Sequence, residues 1–447
     1  MAITRRQFVT RLGALAAAMG VNQVDLAKIT EAFAHGGAWT GDWTDKPKVV
    51  WVHGAECTGC STSLLSLFED VRGKAIEGTT TSTLKALDLA VGGDGDGTTV
   101  LPPSLGGDVD ATHPYGHRTL YETAALTGSD FDNAANGTPY IANIADVLVD
   151  FIDLQYHETV GNAAGDLAYK WLHDQMLNEG PEAFVMVVEG AVQDKALGGA
   201  WNETGAAPWC SIGQDETTGE ELSFDDVVFQ IGTKTNCKAI VAIGQCATFG
   251  GYPGCKSPLP EFAGKSQTGA TGVYDFFVAK GSAAKDKVIN VPGCPTNPWW
   301  FVLTVVAWLV DATSILGGGG SVLGILGPGL AINAAAVDKN RRLKAVYGTP
   351  LHGPYCTRYQ DFLNNVFAAK PGDAGCLQLI GCKGPSTKTL CGPHGWNSQQ
   401  PRNDASWEEG LAALQGIKGG NCIAGGHPCM ACTEKGYPDA FLPFVVR

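Results

Sequence analysis

Val49-Val50-Trp51-Val52-His53-Gly54-Ala55-Glu56-Cys57-Thr58-Gly59-Cys60 decides the fold: four apolar residues run straight into a loop that carries Gly and two cysteines. A short, continuous, largely β-branched run suits a strand buried on both faces of a parallel sheet. Three more runs repeat the arrangement. Phe184 to Val188 leads into Glu189-Gly190-Ala191, Ile240 to Ile243 into Gly244-Gln245-Cys246, and Val288 to Val291 into Pro292-Gly293-Cys294. Open α/β sheets gather ligands at the carboxyl ends of their strands. Cys57, Cys60, Cys246 and Cys294 all fall there.

The rest of the chain divides around this frame. Between the first two runs lies a long segment, residues 70–165, rich in Gly, Thr, Ala and Asp, which reads as an insertion. Within it Ile141 to Tyr156 reads as helical. Its Gly92 to Gly97 run hints at calcium, but the twelfth position from Asp94 is Leu105, where a calcium loop needs a bidentate Glu. A solvated loop is the better reading. Trp299 to Leu316 is apolar but contains Asp311 and ends in glycines, so it reads as a core helix rather than a membrane span. After residue 339 strand-like runs fade and Cys, Gly and Pro become frequent, which sets a second domain at 340–447. With little apolar sequence there, a core held by metal is expected.

The 447 residues carry a formal net charge of −14. A nucleic-acid partner is excluded, because phosphate binding needs clustered Lys and Arg. Residues 1–34 read as an export signal: Arg5-Arg6-Gln7-Phe8, an apolar stretch from Leu12 to Val21, and Ala32-Phe33-Ala34 before His35. The arginine pair is of the twin-arginine type. Removing 1–34 takes four basic and two acidic residues and leaves −16. Export by that route suits a protein whose cofactor is installed before it leaves the cytoplasm.

Fourteen cysteines are too few for a disulfide scaffold and too many for an ordinary enzyme. Thiolate sulfur is soft and suits iron–sulfur clusters, zinc or copper(I). A four-iron cluster needs four ligands, usually Cys and sometimes His. Cys57, Cys60, Cys246 and Cys294 supply one such set. His352, Cys356, Cys376, Cys382, Cys391, Cys422, Cys429 and Cys432 supply enough for two more. The spacings do not fit the usual zinc finger, so iron–sulfur is favoured over zinc; disulfides are the other alternative for an exported chain.

Five stretches resemble the small subunit of [NiFe] hydrogenases. They are His53 to Cys60, Gly244 to Gly251, Pro292 to Pro298, Gly381 to Pro385 and Gly426 to Cys432, and Val188-Glu189-Gly190 fits as well. They keep the family's order from residue 48 onward, and 70–165 is not covered. The resemblance implies α/β architecture: a flavodoxin-like parallel sheet domain over 35–339, then a mostly irregular or helical iron–sulfur domain over 340–447. It implies three clusters that relay electrons from hydrogen oxidised at a nickel–iron site in a large subunit. On this pattern Cys57, Cys60, Cys246 and Cys294 match the proximal [4Fe-4S] ligands. His352, Cys356, Cys376 and Cys382 match the distal set, and Cys391, Cys429 and Cys432 the medial set. The chain would then be a subunit of a hydrogen:acceptor oxidoreductase and no catalyst alone, since the nickel motifs are absent from it. An electron acceptor such as a cytochrome or a membrane redox subunit is implied as a further partner. Periplasmic residence, soluble or peripherally attached, follows from the signal and the short tail after Cys432.

Three departures from the family pattern matter. Many members have Pro and a medial [3Fe-4S] cluster where this chain has Cys422, so a fourth thiolate predicts a medial [4Fe-4S]; a bystander Cys422 would leave [3Fe-4S]. His352 precedes Cys356 by four residues rather than three. Gly59 and Gly251 stand where oxygen-tolerant members add two cysteines, so a six-Cys proximal cluster is not expected. Cys210, Cys237 and Cys255 read as buried small residues or a disulfide such as Cys210–Cys237. Glu56 and Glu189 read equally as loop caps or as groups for proton or cluster chemistry. Two alternatives stand beside the leading reading: a related iron–sulfur conduit without nickel chemistry, and an exported zinc- or disulfide-stabilised binding protein.

Overall fold

The computed structural model describes residues 48–65, 153–161, 166–178, 183–195, 209–214, 221–260, 266–298, 332–391 and 421–446, residue 354 excepted, with a few positions between them. Residues 1–34, the Gly92 to Gly97 run and the first part of the expected 141–156 helix lie outside the described residues.

The four apolar runs form strands as expected. They are β1 (Lys48–His53), β3 (Phe184–Glu189), β6 (Cys237–Ile243) and β7 (Val288–Val291). A fifth strand, β2 (Asp153–His157), pairs with β1 in parallel, Lys48 opposite Asp153. The expectation of a helix through Tyr156 is therefore wrong over 153–156, and the 70–165 segment is not wholly an insertion. The physical reason is position. An edge strand buries only part of its length, so Asp153, Leu154 and Gln155 are half-buried and the apolar run that marks the other strands is missing.

The sheet order is β2-β1-β3-β6-β7, all parallel. Counted within this sheet it is 2-1-3-4-5, the flavodoxin-like order. Register aligns the carboxyl ends: His53 pairs with Glu189, Glu189 with Ile243, and Ile243 with Val291. Every ligand-bearing loop of the sheet therefore opens on one rim. A separate hairpin joins β4 (Ser211–Gln214) and β5 (Glu221–Ser223).

Helices cover the sheet because their apolar stripe has nowhere else to go. In α3 (Phe224–Thr233), Phe224, Val227, Val228 and Ile231 are buried against Met186, Ile240 and Phe277. Each such side chain contributes about 1.5–3 kcal/mol on leaving water. The end of α3 is closed by the Lys287 ammonium, which donates to the Gly232 and Lys234 carbonyls at 3.1 and 2.7 Å. Other α-helices among the described residues before β7 are α1 (Gly59–Leu65), α2 (Asp166–Trp171), α4 (Gly244–Phe249) and α5 (Val273–Ala279). Trp300, Phe301, Ala307 and Trp308 are buried and helical, which fits a core role for that stretch. No helix among the described residues is long and apolar enough to cross a membrane.

Beyond residue 339 the regular structure among the described residues is short: α6 (Lys344–Tyr347), α7 (Tyr359–Leu363) and single 3-10 turns. The core they share is small, built on Leu351, Ala368, Leu377, Ile380, Ile423 and Cys429. Cys356, Cys382 and Cys391 pack against it.

Candidate functional site

The sheet brings the first thiol set to its rim. Cys57 lies on the β1–α1 loop and Cys60 in the first turn of α1. That turn is fixed by Glu189 at the end of β3. The carboxylate accepts from the backbone N–H of Cys60 (3.0 Å) and Ser61 (3.1 Å), from Ser61 Oγ (2.5 Å) and from Trp51 Nε1 (3.3 Å). Four donors hold Glu189 as a structural anchor of the Cys60 loop. Cys246 is in α4, whose start is tied to the β7 loop by Gln245 N–H to Gly293 O at 2.8 Å. The Thr296 N–H points to Cys60 Sγ at 3.5 Å.

These four thiols lie within electrostatic reach of one another. Burial, reinforced by Cys294 and Cys57, pushes the Cys246 thiol up to about 12. Burial and then the Glu189 carboxylate drive Cys60 well above the ordinary thiol value, with Cys246 adding to it. The backbone also makes room for sulfur. A Cβ on Gly244 (φ +86°) would lie 2.5 Å from Cys60 Sγ, and one on Gly251 (φ +53°) 2.8 Å from Cys246 Sγ.

The second set, Cys391, Cys422, Cys429 and Cys432, lines one cavity with Trp300 and Leu351. Cys422 thus lines the same cavity as the other three thiols. In the third set, Cys356, Cys376 and Cys382 feel one another's charge. His352 joins them across Gly384, whose Cβ would lie 3.5 Å from Cys382 Sγ and 4.0 Å from His352 Cβ. The imidazole is held edge-on against Phe362 at 4.6 Å and Tyr359 at 5.1 Å. The extra residue before Cys356 is taken up by a turn, with Cys356 N–H on Gly353 O at 3.2 Å and Gly353 at φ +142°.

Neighbouring sets also meet. Cys294 lies within electrostatic reach of the Cys432 thiol, and the Cys429 N–H donates to Cys382 Sγ at 3.3 Å. All fourteen cysteines are free thiols, Cys210 and Cys237 included, so the disulfide alternative has no support among them. Eleven buried or half-buried donors, imidazole and thiol, together with the exposed Cys57, are of the types that suit iron–sulfur clusters. Buried thiols this far above their ordinary value are neutral until a metal draws off their protons.

The sequence reading named Glu56 and Glu189 but not their cluster with His53. His53, Glu56 and Glu189 place ligand-type atoms within 4.8 Å of one another beside the first thiol set. His53 Nδ1 meets Glu56 Oε1 at 3.2 Å, and the His53 N–H donates to Glu158 Oε1 at 3.1 Å. Burial opposes charge on His53, but the Glu56 hydrogen bond and the Glu189 and Glu158 carboxylates outweigh it and hold the imidazole above its ordinary value. His157 behaves oppositely: burial and the neighbouring His53 push it down to about 3. Its Nδ1 accepts from the Thr159 and Val160 amides, which leaves the proton on Nε2, facing Ser61 Oγ at 3.2 Å. His157 and Glu158 follow from β2, so missing that strand hid them.

Comparison with known proteins agrees with the geometry. Residues 139–308 match the NADH ubiquinone oxidoreductase 20 kDa subunit family, and residues 347–406 match the family of C-terminal regions of the NiFe/NiFeSe hydrogenase small subunit. The second match sets the chain apart from a conduit that shares only the sheet domain. The periplasmic [NiFeSe] hydrogenase small subunit of Desulfomicrobium baculatum is 25% identical, the alignment covering 100% of this chain and 99% of that one. The periplasmic [NiFe] hydrogenase small subunit 1 of Nitratidesulfovibrio vulgaris is 26% identical over 99% and 93%. Among solved structures, the [NiFeSe] hydrogenase of Desulfovibrio vulgaris Hildenborough shares the fold with a TM-score of 0.56 at 24% identity, over 91% of this chain and 100% of that one. Strand order, motif order and these matches agree that the chain is similar along its length to the small subunits of [NiFe] and [NiFeSe] hydrogenases.

Proposed function

We propose that this chain is the electron-relay small subunit of a periplasmic [NiFe] hydrogenase, paired with a large subunit that carries the nickel–iron site and passing electrons to an external acceptor. One observation supports the reading: Cys294 of the first thiol set lies within electrostatic reach of Cys432 of the second, and Cys429 of the second donates its N–H to Cys382 Sγ of the third at 3.3 Å. Cys57, Cys60, Cys246 and Cys294 would hold the proximal group. Cys391, Cys422, Cys429 and Cys432 would hold the medial group, and His352, Cys356, Cys376 and Cys382 the distal one. Bound iron–sulfur clusters supply one-electron oxidation and reduction with little change of shape. The protein's part is to fix the ligands and exclude water. Glu189 clamps the Cys60 turn, and the Arg358 guanidinium bonds the Asp373 and Gly375 carbonyls at 2.6 and 2.7 Å, tying the Cys356 and Cys376 segments together. Trp300 and Leu351 wall the medial cavity. Periplasmic residence is supported by the relatives and by the Arg5-Arg6 signal in the sequence.

The test is hydrogen-dependent reduction of a viologen dye by the native complex, purified without air. Dye reduction by a brown protein with about twelve iron atoms per small subunit is the expected result. A colourless protein with zinc, or a fully loaded complex that leaves the dye oxidised under hydrogen, would overturn the proposal.

A further inference from the structure

Arg342 is a full positive charge inside the protein, only 2% exposed. Its backbone runs beside β7, bridged to Asn290. Its Nε and Nη2 meet Asp338 Oδ2 at 2.9 and 2.8 Å. Nη1 donates to the Thr433 carbonyl at 2.7 Å and meets Glu434 Oε1 at 3.0 Å. The guanidinium lies 5.3 Å from the centre of the Tyr347 ring.

Each of these partners leads to a thiol-bearing loop. Thr433 and Glu434 directly follow Cys432. The Tyr347 hydroxyl donates to the Pro292 carbonyl at 2.8 Å, two residues before Cys294. The Glu434 carbonyl accepts from Gln245 Nε2 at 2.9 Å, next to Cys246. Glu434 Oε1 also accepts the Lys388 N–H at 2.7 Å, three residues before Cys391. One cation therefore braces two loops of the first thiol set and two of the second.

Stability alone does not call for it. A buried ion pair is often no better than apolar residues of the same volume. Its position supplies the reason. The phenol stacked on it is within electrostatic reach of Cys60 in the first set and Cys432 in the second. Thiolate-bound clusters carry excess negative charge, and net charge around them sets their potential.

We propose that Arg342 is a positioning residue for electron transfer between the proximal and medial sites: it holds the Cys294 and Cys432 loops in register and supplies the positive charge that raises the reduction potential at both. The inference rests on the relay reading above. The guanidinium fork matches two carboxylates and a carbonyl at once, which a lysine ammonium cannot reproduce. Charge and geometry are therefore separable.

The test uses the purified complex with Arg342→Met and Arg342→Lys. Three readouts are compared: EPR-monitored redox titration of each site, deuterium–proton exchange, which reports the partner's hydrogen chemistry alone, and hydrogen-dependent dye reduction. Arg342→Met should keep the exchange activity and shift the proximal and medial potentials negative while the distal potential stays. Its dye reduction should fall by up to about a hundredfold, the cost of ångström-scale misplacement in preorganised sites. Arg342→Lys should hold the potentials near wild type and still lose rate. A fully loaded Arg342→Met with wild-type potentials and rate would overturn the proposal, as would an equal shift at all three sites. If the Met variant does not accumulate, Arg342→Lys decides: a wild-type rate overturns the proposal, a lowered rate at unchanged potentials supports it. A wild-type complex with neither exchange nor dye reduction would instead defeat the relay reading.

Discussion

Replacing Gly244 with Ala tests whether the rim of the sheet is shaped around a metal ligand. Gly244 opens α4, two residues before Cys246, at φ +86°. An L side chain in a left-handed conformation costs roughly 1–2 kcal/mol. The new Cβ would lie 2.5 Å from Cys60 Sγ, about 1 Å inside a comfortable contact. Overpacking of this kind costs roughly 1–3 kcal/mol more. The sum, roughly 2–5 kcal/mol, is below the stability of most folded proteins, about 5–15 kcal/mol. The chain therefore folds, and the strain falls on Cys60. That sulfur has no free direction of retreat, because Glu189 holds its backbone N–H at 3.0 Å and the Thr296 N–H meets it at 3.5 Å. The expected outcome is loss of the proximal site, read as a fall of about a third in iron and labile sulfide per chain. Gly281→Ala is the control. Gly281 has φ +63° with nothing within 4 Å of a Cβ, so it carries the conformational cost without the collision. It should lower the thermal midpoint by a few degrees, about 2–4 °C per kcal/mol, and keep its iron. Equal iron content and equal visible absorption in the two variants would refute the reasoning.

Three other predictions follow from particular residues. Cys422→Pro should remove one iron and produce a three-iron EPR signal from the medial site, because Cys422 shares a cavity with the other three thiols; an unchanged spectrum would make Cys422 a bystander. His352→Ala should leave deuterium–proton exchange intact while lowering electron delivery to a protein acceptor and altering only the distal EPR signal; loss of the proximal signal too would contradict the separate placement of the sets. His157 is pushed down to about 3 by burial and by His53, so its folded-state value lies below the unfolded one, near 6.5. Its contribution is present above pH 6.5 and is lost progressively as the pH falls towards 3, about 2 kcal/mol of it by pH 5. Thermal melts at pH 7 and pH 5 should differ less in His157→Gln than in wild type, and parallel shifts would sink the assignment.

Legibility in the sequence followed burial. β1, β3, β6 and β7 are buried along nearly their whole length, so their apolar runs announced both the strands and the rim where the cysteines collect. β2 lies at the sheet edge with a half-polar sequence, and nothing in Asp153-Leu154-Gln155 separates a strand from a helix or loop. That one miss hid His157 and Glu158. The His53–Glu56 pair was hidden for another reason: its partners come from β2 and β3, distant in the chain, and only register brings Glu189 beside His53. Arg342 was invisible because one of two adjacent arginines in a basic stretch, Lys339 to Lys344, reads as solvated surface. The turn at Gly353 that absorbs the extra residue before Cys356 is a backbone property that spacing alone does not reveal.

The C-terminal region is where sequence, stability and proposed function meet. The apolar core of its described residues is small, while the buried Cys429 and half-buried Cys432 thiols are pushed far above the ordinary value, Cys429 up to about 12. A small core contributes little against the entropy of ordering roughly a hundred residues, about 1–2 kcal/mol each for the backbone alone. Neutral buried thiols contribute little more. Metal ligation changes both sides of this balance, because it replaces weak S–H contacts with strong bonds and ties distant segments of chain into closed loops. On the proposed reading the medial and distal clusters are thus part of the fold itself. Chelation of iron should then unfold 340–447 while the sheet domain, with its own extended core, keeps its structure. Limited proteolysis after chelation reads this directly. Cleavage confined to the C-terminal region is the expected pattern, and equal protection of both regions would mean that packing, not metal, holds it.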